Sequence, residues 1–166
     1  MGKTPGQKAA RVKGFKMSES EILRKIAVIF VTDVVGFSTL MAQNEELTLR
    51  SFRSCKEILD NLFEEHSGRI FNTAGDSVLA EFPSAVSAVI CAVEFQKLIK
   101  ARNASVPNAA QMQFRIGLNM GDVIIEGTNL YGDGVNVAAR LEALSQAGGV
   151  WLSKRSQDFV SEKVEW

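Results

Sequence analysis

The run Ile26-Ala27-Val28-Ile29-Phe30-Val31, followed by Thr32-Asp33-Val34-Val35-Gly36-Phe37-Ser38, constrains this chain more than any other stretch. Six apolar residues rich in Val and Ile, too few for a buried helix, predict a strand covered on both faces. Directly behind it stands Asp33, whose carboxylate is costly to desolvate unless it is paired or coordinates a metal. Two roles are open to it at this point: capping the next turn at the strand's exposed end, or holding a cation.

What surrounds this strand is a soluble globular domain. The chain has 166 residues, enough to bury a sizeable core. Nineteen basic and nineteen acidic side chains balance, so no global field recruits nucleic acid or anionic lipid. No apolar run approaches the roughly 18–20 residues of a membrane span. Cys55 and Cys91 fall on apolar positions of predicted helices without metal-ligand spacing, as reduced core thiols of a cytoplasmic protein would. Met1 to Lys16 carries five basic and no acidic residues and no apolar signal core, and residues 1–24 are expected to be a flexible tail and lead-in, with a helical turn over Ser18–Arg24.

The pattern downstream alternates strand and helix. Ser38 is expected to cap a short helix, and Phe52, Cys55, Leu59, Leu62 and Phe63 recur at helical spacing within a helix from Glu45 to His66. His66, the single histidine, reads as a surface residue near that helix's end. Arg69-Ile70-Phe71 and Val78-Leu79-Ala80-Glu81-Phe82 flank the polar Asn72-Thr73-Ala74-Gly75-Asp76-Ser77, a β-hairpin. A helix from Pro83 to Arg102 is expected to face inward through Val86, Val89, Ile90, Val93 and Leu98. Gln113 to Met120 alternates as a strand, Gly121-Asp122 is expected to turn into a second strand over Val123–Ile125, and Glu126 to Gly134 is expected to be loop. A helix from Val135 to Gln146, a strand at Val150–Ser153 and a short helix from Ser156 complete the order. The predicted class is α+β: a ferredoxin-like βαββαβ core with additional C-terminal β and α elements, its long helices on one face of the sheet.

In that arrangement the first strand and the hairpin are neighbours, which brings Asp33 beside Asp76. Two carboxylates at one sheet end favour shared divalent cations, and an all-oxygen set suits Mg²⁺ or Mn²⁺ completed by substrate phosphates. The Val34–Ser38 loop, with Gly36 and Phe37, feeds a helix N-terminus whose free N–H groups favour phosphate oxygens. Farther on, Asn136 and Arg140 are at i and i+4 and share one helix face. They suit a ribose and a phosphate, or else a solvated face with Arg140 paired to an acid.

Phe30-x-x-Asp33-Val34-Val35-Gly36-Phe37-Ser38, Thr73-Ala74-Gly75-Asp76 and Gly132-Asp133-Gly134-Val135-Asn136-Val137-Ala138-Ala139-Arg140-Leu141 together resemble the class III nucleotidyl cyclase catalytic domain, over about residues 25–166. The resemblance implies that Asp33, Asp76 and the Val34 carbonyl hold two divalent metal ions. It implies that Arg140 neutralises the α-phosphate and Asn136 orients the ribose, both lent by the partner in a head-to-tail homodimer. At the two base-reading positions the family's Lys and Asp are replaced by Asn72 and Asn129. A primary amide offers an acceptor and two donors, so both purines fit; ATP is the expected substrate over GTP. The phosphate-gripping Lys that the family places beyond this region is missing, so the domain is expected to be cut short. The alternative function is a degenerate cyclase-homology domain that binds nucleotide or a partner and regulates without turnover.

Overall fold

β1 (Leu23–Val34) runs through the middle of the sheet, as its apolar run requires, with Ile29 and Phe30 fully buried. The computed structural model describes residues 22–161 and 163; the basic N-terminal stretch lies outside them. Leu23 and Arg24 already belong to β1, so the helical turn expected there does not extend to them.

α1 (Phe37–Gln43) and α2 (Glu45–Glu65) follow. β2 (Arg69–Ala74) and β3 (Ser77–Phe82) form the expected hairpin, and α3 spans Ala85–Ala104. A 3₁₀ turn at Asn108–Ala110 leads to β4 (Phe114–Glu126), β5 (Asn129–Tyr131), α4 (Asp133–Leu144), β6 (Val150–Leu152) and α5 (Lys154–Val160). The sheet order is β2-β3-β1-β4-β5, and β6 joins the outer edge of β4 in parallel. This is the expected α+β fold, with β1 between β3 and β4, antiparallel to both.

α2 and α3 cover one face. There Phe30, Phe63 and Phe82 pack with ring centroids 5.1–5.6 Å apart, and each ring kept from water contributes about 1.5–3 kcal/mol. α4 covers the other face with Val135 and Ala138 against Ala27, Ile29, Val31 and Val123. Phe71 of β2 and Leu130 of β5 join this second cluster, although three strands separate them in the sheet order. β2 itself is the outer strand, and its ladder to β3 slips between Ile70 and Asn72.

Four expectations need correction. Gly121-Asp122 does not turn: β4 is one continuous strand of 13 residues that β1 accompanies from Val34↔Phe114 to Leu23↔Ile125. Gly121 is small because α4 arrives there, and a Cβ would lie 3.1 Å from the Gly134 Cα and 2.8 Å from the Asn119 amide nitrogen. The chain reverses instead at Gly127, with φ +63°, and the expected loop contains β5. Gly36 rather than Ser38 caps α1, in the left-handed conformation (φ +65°), and Ser38 lies inside the helix. In α3 the buried side is Ala85, Ala88, Val89, Cys91, Ala92, Phe95 and Ile99, while Ile90 and Leu98 face out. This helix is apolar nearly all round, so spacing does not choose its inner face; small residues let the backbone approach the sheet.

Candidate active site

Asp33 is the penultimate residue of β1, and its side chain is 18% exposed at the corner where β1, the β2–β3 turn and β4 meet. That turn needs a left-handed residue, which Gly75 supplies at φ +61°. The next residue, Asp76, accepts a hydrogen bond from the Val34 N–H at 2.8 Å through Oδ2. Its carboxylate is thereby tied to the backbone of the residue adjoining Asp33.

Two further residues of this corner escaped the sequence reading. β4 places Arg115 directly opposite Asp33. Arg115 binds it with two N–H groups, Nε to Oδ1 at 3.2 Å and Nη2 to Oδ2 at 3.0 Å, while Nη1 donates to the Ala143 carbonyl at 3.2 Å. The second is Glu142 on α4, whose Oε2 lies 3.2 Å from Arg115 Nε. Burial pushes the Glu142 carboxyl up to about 8, the Asp33 and Asp76 carboxylates reinforce that push, and Arg115 opposes it. Arg115 is visible in the sequence only as a polar residue on an alternating strand, because its pairing with Asp33 spans 82 positions.

The corner offers two carboxylates and the Val34 carbonyl, all hard oxygen donors suited to Mg²⁺ or Mn²⁺. Among the described residues no group of three or more His, Cys, Asp or Glu side chains is placed to hold a metal. A cation held by Asp33 and Asp76 therefore needs its remaining ligands from water or a phosphate.

α4 sits hard against β4. A Cβ on Gly117 would collide with the Glu142 N and the Ala138 carbonyl, and the buried Asn119 donates to the Gly134 carbonyl at 3.0 Å. Glu142 is thereby turned inward, while Asn136 and Arg140 are exposed. With about 100° per residue, Arg140 stands roughly 200° around the helix from Glu142. The Asn136–Arg140 face therefore points away from its own chain's carboxylate corner.

Asn72 is exposed on β2 and Asn129 half-buried on β5. Arg69 joins their strands by donating to the Thr128 carbonyl at 2.7 Å and to Glu81 at 2.8 Å. Each Asn turns its Oδ1 onto the following backbone N–H, of Thr73 and Leu130, and Asn129 also donates to the Tyr131 hydroxyl. At the head of α1, Gly36 offers no side-chain cap, and Phe37 packs on Phe52.

The pattern of the family described as "Adenylate and Guanylate cyclase catalytic domain" matches residues 18–165. Putative adenylate cyclase 3 of Rhizobium meliloti (strain 1021) is 41% identical over 150 residues, covering 90% of this chain and 26% of that protein. The chain thus spans about a quarter of that relative's length. An adenylate/guanylate cyclase/hydrolase from Silicibacter pomeroyi superposes with a TM-score of 0.79 at 35% identity, covering 87% of this chain and 84% of that one. The monomeric guanylyl cyclase domain of the RhoGC fusion protein from Blastocladiella emersonii shares the fold, with a TM-score of 0.77 at 24% identity over 87% and 90% of the two chains. No helix of the described residues is long and apolar enough to cross a membrane.

Proposed function

This chain belongs to the adenylate and guanylate cyclase catalytic domain family, and from that premise we propose that it closes a nucleoside triphosphate, ATP in preference to GTP, into its 3′,5′-cyclic monophosphate. The 3′-hydroxyl oxygen bonds to the α-phosphorus, the bond from that phosphorus to the bridging oxygen breaks, and pyrophosphate leaves with the electron pair. The hydroxyl proton passes to solvent.

Asp33 and Asp76, with the Val34 carbonyl, are the residues that would hold two Mg²⁺ or Mn²⁺ ions. Such ions, when bound, supply charge for the attacking and leaving oxygens. Arg140 offsets the negative charge that gathers on the α-phosphate, Asn136 orients the ribose, and the turn at Gly36 and Phe37 presents backbone N–H groups to the phosphates. Asn72 and Asn129 meet the base edge; their neutral amides make weaker bonds than a charged pair would.

One observation carries this reading: α4 turns Arg140 and Asn136 into solvent on the side away from their own Asp33. Exposed groups of that chemistry complete a site only when a second copy presents them across a head-to-tail interface. The preference for ATP leans on the 41%-identical relative that bears the name adenylate cyclase.

A second reading, a domain that regulates without turnover, is favoured by the engagement of both Asn Oδ1 atoms with their own backbone. Cyclic nucleotide production with Mn²⁺ and ATP or GTP separates the two. We expect cyclic AMP from the parent and a fall of at least about 100-fold in Asp33→Asn or Asp76→Asn. Nucleotide binding without product from either triphosphate selects the regulatory reading.

A further inference from the structure

The corner described above holds three acids and one guanidinium, and the guanidinium is shared unequally. Arg115 Nε has one hydrogen. It is 3.2 Å from Asp33 Oδ1 and 3.2 Å from Glu142 Oε2, and it donates to Asp33. Glu142 Oε2 is consequently left with no hydrogen-bond partner, although its side chain is only 7% exposed. A buried carboxyl oxygen without a donor is destabilising and calls for a physical reason. Meanwhile both oxygens of Asp33 accept from Arg115, which leaves one lone-pair site on each and sets a positive charge against any cation that takes it.

We propose that Arg115 is a displaceable internal counter-cation: it neutralises Asp33 while the corner holds no metal, and it crosses to the waiting Glu142 oxygen when a divalent cation binds. This rests on the reading of Asp33 and Asp76 as cation ligands. The travel is short, because Nε is equally far from the two oxygens, and the Nη1 bond to the Ala143 carbonyl gives the group a pivot. Without the crossing, an incoming dication meets a positive charge in contact with its own ligand. Arg115 and Glu142 are then positioning residues, setting how readily Asp33 accepts metal. A rigid ion-pair cluster that only pins α4 to β4 has no such effect.

The test is Mn²⁺ affinity of the nucleotide-free full chain, read from the electron paramagnetic resonance signal of the free ion, alongside thermal unfolding. Arg115→Met removes the competitor and is expected to tighten Mn²⁺ binding about tenfold; Glu142→Leu removes the accepting oxygen and weakens it severalfold. In Arg115→Met/Glu142→Leu no guanidinium needs to move, so this variant binds as tightly as Arg115→Met. It also leaves no unpartnered carboxyl buried on α4, and it serves if the single Arg115 variant does not fold. Asp33→Asn is expected to lose binding at least tenfold. Unchanged affinity in the Glu142 variant or in the double variant, with Asp33→Asn still losing binding, overturns the crossing and leaves the cation site intact. Mn²⁺ binding indifferent to Asp33→Asn overturns both.

Discussion

A residue's chemistry here is set by whatever the opposite strand brings to it, and Asp33 shows this most directly. The apolar run ending in an acid is legible in the sequence, as is the turn that brings Asp76 to the end of β1, because a hairpin turn is written locally in Ala74-Gly75-Asp76. Arg115 and Glu142 were not, since strand register over 82 residues leaves no local mark. Glu142 follows an exposed helix face and looks solvated until Gly117 draws it inward. Its raised carboxyl has a consequence for stability. From about pH 4.5, where the unfolded chain releases this proton, to about pH 8, the folded chain retains it. Raising pH across that window therefore favours unfolding, and the contribution is complete below it and lost above it. Thermal unfolding between pH 5 and 8 is expected to show stability declining in the parent and a shallower decline in Glu142→Gln.

At the scale of elements, the controlling contact is α4 against β4. It is built from absent side chains: Gly117, Gly121 and Gly134 each leave room that the neighbouring backbone fills. In the sequence such glycines resemble turn signals, as Gly121 does; only the continuous pairing of β4 with β1 reveals that the chain runs straight on. Gly117→Ala is expected to lower unfolding stability by about 1–3 kcal/mol, as overpacking of a tight interface does. Because Asn136 and Arg140 ride on α4, cyclase activity in this variant should fall further than its thermal midpoint alone explains. Activity assayed well below the unfolding transition checks this. α3 hides its inner face for a different reason: Ile90 and Leu98 are as apolar as the residues that face the core, so composition carries no direction.

For the molecule as a whole, the fold was legible because the order of strands and helices, with short hairpins, leaves few alternatives. The placement of one chain's Arg140 relative to another chain's Asp33 is not written in either. If two copies complete each site, two inactive variants repair one another. Chains carrying Asp33→Ala and chains carrying Arg140→Ala should each be inactive, and an equal mixture should recover about one quarter of parental activity, since half of the dimers are mixed and each has one intact site. No recovery at concentrations where the mixed dimer forms argues against a shared site.

The slipped ladder between Ile70 and Asn72 bears on how such copies meet. A border strand of six residues whose rungs lose step after two offers little template for a neighbouring sheet to extend. Copies of this domain should therefore join through side chains, and the outward amides of β2 should exchange with solvent at the same rate whether the protein is dilute or paired.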